Sequence, residues 1–271
     1  MPVAQSGDIR LHFESTGAPG APVLLVMGLG MTATGWWRTT PVLAEALTVI
    51  AFDNRGVGRS DRPPGPYSVA QMADDAIAVL DAAGHDAAHV YGISLGGMIA
   101  QEIALRHPRR VRALVLGATT PGGPRAMPAD EATLAFFHRR TEMPALESVW
   151  ASVPYNYAAR TRESRGDAIA QDIAQRLRFP IEPEPYAAQL QAALGHDTHE
   201  RLAGIAVPTL VVHGDEDRMV HPDNAHLLAE AIPDAELRRY PQAAHLYPTD
   251  EPCVDREIAA WLSARSSPGP S

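Results

Sequence analysis

The 271-residue sequence contains no lysine; all 23 basic residues are arginine. That absence excludes a Schiff-base or pyridoxal-phosphate lysine, the Gly-Lys-[Ser/Thr] of a phosphate-binding loop and a Ser-x-x-Lys nucleophile pair. Cysteine is almost absent too. The single residue, Cys253, excludes an intrachain disulfide, a Cys-x-x-Cys redox pair and any zinc or iron–sulfur site built on several thiolates. Basic runs are also missing. With 32 acidic against 23 basic residues the formal charge is −9, and no stripe of arginine could track a phosphate backbone, so nucleic acid is not an expected partner. No apolar run approaches the roughly 18 residues that a membrane span requires. The opening Met-Pro-Val-Ala-Gln-Ser-Gly-Asp lacks the charged-then-apolar pattern of a secretion signal. These absences lead us to expect a cytoplasmic protein with no membrane partner, a monomer or homodimer. Abundant Ala, Arg and Pro without Lys suggest a GC-rich bacterial genome.

What is present reads as an ordinary globular chain, 45% hydrophobic and 20% charged. Its length suits one domain with a large insertion, long enough to bury a sizeable core. Strand-like segments fall at residues 8–15, where Ile9, Leu11 and Phe13 alternate, and at 22–27, 47–52, 89–93, 111–117, 208–213 and 236–240. A helix begins after Ser68, a suitable N-cap; Val69, Met72, Ala76, Val79 and Leu80 form its apolar face and Gly84 stops it. A second helix runs over 95–106 and ends before Pro108; a last one covers 255–264. The tail, 263–271, is polar with two prolines and is expected to fray. Continuous apolar strands alternating with helices indicate a mostly parallel sheet covered on both faces. The alternation stops at residues 121–205, which hold many prolines and helix-like charged stretches but no convincing strand. The expected organisation is therefore an α/β core made of 1–121 and 206–271, interrupted by a helical cap at 122–205.

The sharpest local signal is Gly92-Ile93-Ser94-Leu95-Gly96-Gly97, set between a strand and a helix. A nucleophilic serine must stand clear of the sheet. A tight strand-to-helix turn achieves this at the cost of backbone strain, and the positions two residues to either side must then be tiny. Gly92 and Gly96 are. The helix N-terminus adds backbone N–H groups and positive dipole beside Ser94. Placed at random, the Gly and Ser of this composition would produce the pattern about 0.07 times per chain.

A lone serine is a weak nucleophile and needs a base and a group to orient it. In a parallel sheet both belong at the C-terminal ends of later strands. After the strand at 208–213 comes Gly214-Asp215-Glu216-Asp217, in which Asp215 or Asp217 could serve; after the strand at 236–240 comes Pro241-Gln242-Ala243-Ala244-His245. Among 11 histidines, position after the last strand selects His245 over His213, His221 and His226. The chain order serine, acid, histidine is that of the α/β-hydrolase arrangement. Such a site also needs two backbone N–H donors for an oxyanion. Leu95, next to the serine, supplies one, and Leu29 in the loop Met27-Gly28-Leu29-Gly30 supplies the other.

On these residues the chain resembles the α/β-hydrolase fold family, in its cap-bearing bacterial form, over nearly its whole length. The resemblance also rests on Asp53-Asn54-Arg55-Gly56-Val57-Gly58-Arg59-Ser60. In the family the acid stands three residues after the glycine, which selects Asp217. The family's usual His-Gly at the oxyanion loop is Met27-Gly28 here; the donor is a backbone N–H, so the hole persists while the polarity behind it changes. Serine-nucleophile members include esterases, lactonases, carbon–carbon bond hydrolases, thioesterases and perhydrolases. Epoxide hydrolases and haloalkane dehalogenases use an Asp where Ser94 stands.

Other motifs have plainer readings. Gly28-Leu29-Gly30-Met31-Thr32-Ala33 followed by Asp53 has the spacing of a dinucleotide-binding fingerprint. Gly35 and Pro41 oppose the long helix that fingerprint needs, and Asp53 and Arg55 read instead as structural groups holding the loop beside the serine turn. His196-Asp197-Thr198-His199 and His213 with Asp217 resemble metal-ligand clusters without the required geometry. Seven aromatic residues, Phe136, Phe137, Trp150, Tyr155, Tyr157, Phe179 and Tyr186, fall in the insertion; some are expected to contact substrate and others to pack the cap on the core. The expected activity is a serine hydrolase using Ser94, His245 and Asp217, without cofactor or metal, on a small to medium, largely apolar carboxylic ester or lactone. A carbon–carbon bond hydrolase or acyltransferase using the same residues is an alternative, as is a hydrolase-fold ligand binder with little turnover.

Overall fold

A computed structural model describes residues 2–266. Its strands are β1 (Val3–Ser6), β2 (Ile9–Gly17), β3 (Pro22–Val26), β4 (Thr48–Phe52), β5 (Ala88–Ile93), β6 (Val111–Gly117), β7 (Thr209–Gly214) and β8 (Glu236–Tyr240). They form one sheet in the order β1-β2-β4-β3-β5-β6-β7-β8. β1 pairs antiparallel with β2, and β2 antiparallel with β4. Every other pairing is parallel. β1 has no counterpart among the expected strands. Only Ala4 of its residues is buried, so it shows no apolar run; register with β2 and a 2.7 Å bond from Ser6 Oγ to Asp75 hold it in place.

The strands are apolar throughout because both faces are covered. On one face Leu24, Val26, Ile50, Val90, Leu114 and Val211 pack under helices α2 and α3 (Val69–Ala82 and Leu95–Arg106). On the other, Val23, Leu25, Val49, Tyr91, Val115 and Val212 meet α1 (Thr39–Leu43) and the C-terminal helix Cys253–Ser263. α2 begins as the sequence predicts, with the Ser68 hydroxyl accepting from the Gln71 amide, and Gly84 closes it at φ +81°.

Between β6 and β7 the chain forms α4 (Glu131–Arg139), α5 (Ala145–Ala151), α6 (Val153–Asn156), α7 (Ala159–Ser164), α8 (Gly166–Leu177) and α9 (Pro183–Leu194). The insertion has a small core of its own, Val149, Tyr157, Ile169 and Ile173. Asp172 fastens it to the sheet layer: its carboxylate accepts from Trp37 Nε1 and Arg38 Nε at 3.0 Å and from Thr249 Oγ1 at 2.7 Å. After β7 come α10 (Asn224–Ala231), α11 (Tyr247–Asp250) and α12, the Cys253–Ser263 helix. Beyond α12, Ser266 Oγ donates to the Leu262 carbonyl and meets His89 Nε2 at 3.0 Å, so residues 263–266 are tied down. The rest of the tail expected to fray, from 267 on, lies outside the described residues. Among the described residues no helix is long and apolar enough to cross a membrane.

Candidate active site

Ser94 joins β5 to α3 with φ 59° and ψ −124°, a region that L-residues occupy at a cost of about 1–3 kcal/mol. The two flanking glycines explain how the turn closes. A Cβ on Gly92 would lie 2.1 Å from the Gly96 carbonyl oxygen, and one on Gly96 would lie 2.0 Å from that of Val26. Bonds across the turn hold the strained residue: the Ser94 amide donates to Gly117 O at 2.9 Å, and Thr119 Oγ1 donates to the Ser94 carbonyl at 2.7 Å. The Ser94 hydroxyl itself makes no hydrogen bond among the described residues.

The loops after β7 and β8 are bound to each other. Asp215 N donates to Tyr240 O at 3.0 Å and Glu216 N to Ala243 O at 2.9 Å. A side chain on Gly214 would meet the Ala243 carbonyl at 2.3 Å. This contact brings Asp217 to His245, whose Nδ1–H donates to Asp217 Oδ2 at 2.8 Å. Asp215 is elsewhere, accepting from Arg239 Nε at the surface. Both oxygens of the Asp217 carboxylate are engaged: Oδ1 accepts from the Met219 and Val220 amides at 2.8 and 3.0 Å, and Oδ2 accepts a second bond from His213 Nε2 at 3.0 Å. Burial alone would raise its pKa; the charge of His245, with the hydrogen bonds from both histidines, instead holds it down at about 2. Asp217 therefore stays ionised at neutral pH.

Ser94 and His245 line one cavity of about 290 Å³, walled largely by apolar groups such as Met27, Ile93, Met98, Phe137 and Met219. No hydrogen bond joins the two side chains, which is common before a substrate is bound. Leu29 and Leu95 line the same cavity, and their amides donate to no acceptor among the described residues. A side chain on Gly28 would reach to 3.6 Å from Ser94 Oγ, so the oxyanion loop runs directly beside the serine. Four of the five residues singled out from the sequence, Leu29, Ser94, Leu95 and His245, thus line one cavity, and Asp217 stands behind His245. A carboxylate, an imidazole and a hydroxyl on a strained turn can activate the hydroxyl as a nucleophile, with unpaired amides ready for negative charge.

The remaining candidates have structural surroundings. Asp53 accepts from the Ala33 amide at 2.8 Å and pairs with Arg59 at 3.0 Å; Arg55 pairs with Asp75 at 2.5 Å. Both hold the loop, as the sequence suggests, though not by binding each other. A short 3₁₀ turn, Ala33–Trp36, stands where a dinucleotide fold would place a helix. Among the described residues no group of three or more His, Cys, Asp or Glu side chains could hold a metal ion. Of the seven aromatic residues in the insertion, Phe137 alone lines the cavity of Ser94 and His245. Phe136 stacks on Tyr155 at 4.4 Å, Tyr157 donates to Asp172, and Trp150 is exposed.

Two features escaped the sequence reading. His213, set aside as a rival base, is a second ligand of Asp217; its position four residues before the acid at a strand end was the available signal. Asp250 ties the His245 loop to the insertion, accepting from the Ala244 amide at 2.7 Å and from that of Ala158 at 3.1 Å. No pattern in the sequence announces that bridge.

Comparison with known proteins identifies the family of the fold. Residues 21–252 match the family model described as alpha/beta hydrolase fold. A protein from Azorhizobium caulinodans named as a carbamate hydrolase, RutD, is 35% identical, covering 95% of this chain and 96% of its own. A pimeloyl-[acyl-carrier protein] methyl ester esterase from Nitrosospira multiformis is 29% identical, covering 89% and 93%. Among solved structures, an N-acyl homoserine lactone degrading enzyme superposes with a TM-score of 0.82 at 30% identity, covering 96% of this chain and 100% of that one.

Proposed function

The chain belongs to the α/β-hydrolase family, and from that premise we propose that it is a serine hydrolase cleaving a small to medium carboxylic ester or lactone with a largely apolar body. Ser94 Oγ attacks the carbonyl carbon while His245 Nε2 takes its proton. The tetrahedral oxyanion is held by the amides of Leu29 and Leu95. Collapse breaks the bond to the leaving oxygen, which receives the proton from His245, and leaves Ser94 acylated. Water, deprotonated by His245, then releases the acid. Asp217 keeps the imidazole proton on Nδ1, so that Nε2 is free to act as base, and stabilises the imidazolium. The insertion, 122–205, serves as a cap that encloses the apolar body of the substrate over the serine.

The observation that supports this most is the 2.8 Å bond between His245 and Asp217 at a cavity shared with Ser94. The 35% identity to a carbamate hydrolase favours a second reading, in which the same residues cleave a carbamate. A panel of p-nitrophenyl butyrate, δ-valerolactone and ethyl N-methylcarbamate separates the two. The ester or the lactone is expected to exceed the carbamate by about 100-fold in kcat/KM, since nitrogen donation makes a carbamate carbonyl the poorer electrophile. A carbamate turned over faster than both would replace the ester reading with the second.

A further inference from the structure

Two guanidinium groups that this chemistry does not use, those of Arg140 and Arg176, also line the cavity of Ser94 and His245. Both come from the insertion, Arg140 just after α4 and Arg176 near the end of α8. Each is anchored by a single serine: Arg140 Nε donates to Ser148 Oγ, and Arg176 Nη1 to Ser152 Oγ, both at 3.0 Å. Among the described residues neither forms a salt bridge. Arg38, Arg55 and Arg59, by contrast, each pair with an aspartate. The carboxylate whose field reaches Arg176 is Asp172. Its oxygens are already taken by Trp37, Arg38, Tyr157 and Thr249.

The pair therefore places two positive charges close together in an enclosed site with no salt-bridged counter-ion among the described residues. Burial, reinforced by the charge of Arg140, draws Arg176 down to about 10, and burial lowers Arg140 as well. Both remain cationic at neutral pH. Beside them, Tyr186 lies with its ring 5.0 Å from the Arg140 guanidinium, and its hydroxyl faces that guanidinium. Arginine offers five N–H donors in a planar fork. Most of the donors of this pair are uncommitted. An uncompensated pair of buried cations is costly unless something anionic completes it, and a planar carboxylate matches the fork geometry best.

We propose that Arg140 and Arg176 form the carboxylate-binding end of the substrate cavity, so that the compound cleaved at Ser94 carries a free carboxylate at the end remote from its scissile carbonyl. The proposal rests on the serine-hydrolase reading and narrows its substrate class. The apolar walls accommodate the body of the molecule, and the arginine pair fixes which end enters first. Half-esters of aliphatic dicarboxylic acids, or lactones bearing a carboxymethyl arm, have this form.

Binding tests the pair without requiring turnover. The Ser94→Ala protein is titrated calorimetrically with monomethyl succinate, glutarate and adipate and with the corresponding dimethyl esters. The best monomethyl ester is expected to bind at least about tenfold more tightly than its dimethyl partner, as befits charge-assisted bonds in an enclosed site. Adding R140Q or R176Q to Ser94→Ala should erase that ratio, and adding R176K should keep part of it. Equal affinity for the charged and neutral esters throughout the series overturns the proposal, as does a ratio that survives in both glutamine variants. Should the glutamine variants fail to fold, the ratio measured in Ser94→Ala decides the matter. Failure of this kind leaves the serine reading intact, because that reading stands or falls on Ser94 itself and not on the choice of acid or ester.

Discussion

Ser94→Ala is expected to lower kcat/KM by a factor on the order of 10⁴ or more, while the melting temperature stays within about 2 °C of wild type. The two halves of that expectation have separate causes. The hydroxyl makes no hydrogen bond among the described residues, so its removal unpairs nothing. Alanine keeps the Cβ and the same strained φ of 59°, and the amide bond to Gly117 and the carbonyl bond from Thr119 are untouched. The chemistry, by contrast, loses the atom that would carry the acyl group. What remains is the binding and oxyanion contribution alone, and residual rates in such cases are small. Turnover above about 10% of wild type would mean that the reaction does not pass through Ser94.

Asp217→Asn is expected to cost 10³- to 10⁴-fold in kcat, comparable in order of magnitude to the same change in other serine triads, and to destabilise the fold by about 2–4 kcal/mol. The carboxylate accepts four hydrogen bonds, two on each oxygen. An amide has acceptors on one side only. If its NH₂ faces the histidines, His245 must accept at Nδ1, so its proton moves to Nε2 and the base is lost. If its NH₂ faces Met219 and Val220, two backbone donors are left opposing it. The first orientation keeps its contacts only by displacing the imidazole protons, and the second breaks two bonds in a buried place. Steady-state kinetics together with thermal unfolding check both parts. Full activity with unchanged stability would remove Asp217 from the site. Acid exposure should reproduce the stability loss in the wild-type protein. The folded-state pKa is depressed to about 2, so the stabilisation from this group is present above the ordinary aspartate value near 4 and disappears as pH falls from there through about 2.

Much of this arrangement was legible in the sequence, for identifiable reasons. The Ser94 turn announces itself because its sterics leave no choice: the two glycines are required by carbonyl oxygens only 2.0 and 2.1 Å from where a Cβ would sit. α3 spans Leu95–Arg106 as expected, because a strained serine starts it and His107-Pro108 stops it. The buried parallel strands were visible as unbroken apolar runs, and their C-terminal ends locate Asp217 and His245. What was hidden depends on contacts between distant segments. β1 has one buried residue and exists by pairing with β2. His213 reaches Asp217 only because β7 ends where it does. The aromatic residues of the insertion suggested a pocket lining, yet most pack within the insertion or against its base; the groups that face the cavity with chemical consequence are Arg140 and Arg176. In the sequence each lies among other arginines, Arg139-Arg140 and Arg176-Leu177-Arg178, and nothing local distinguishes the enclosed member from its solvated neighbour.

The central claim, that Ser94 is a nucleophile activated by the His245–Asp217 pair, is met most directly by intact-mass analysis after treatment with a fluorophosphonate, followed by peptide mapping. The reagent reports an activated serine whatever the natural substrate. The account predicts a single adduct, on Ser94, abolished in Ser94→Ala and strongly slowed in Asp217→Asn. A folded wild-type protein that takes up no label, or takes it up on another residue, would contradict it.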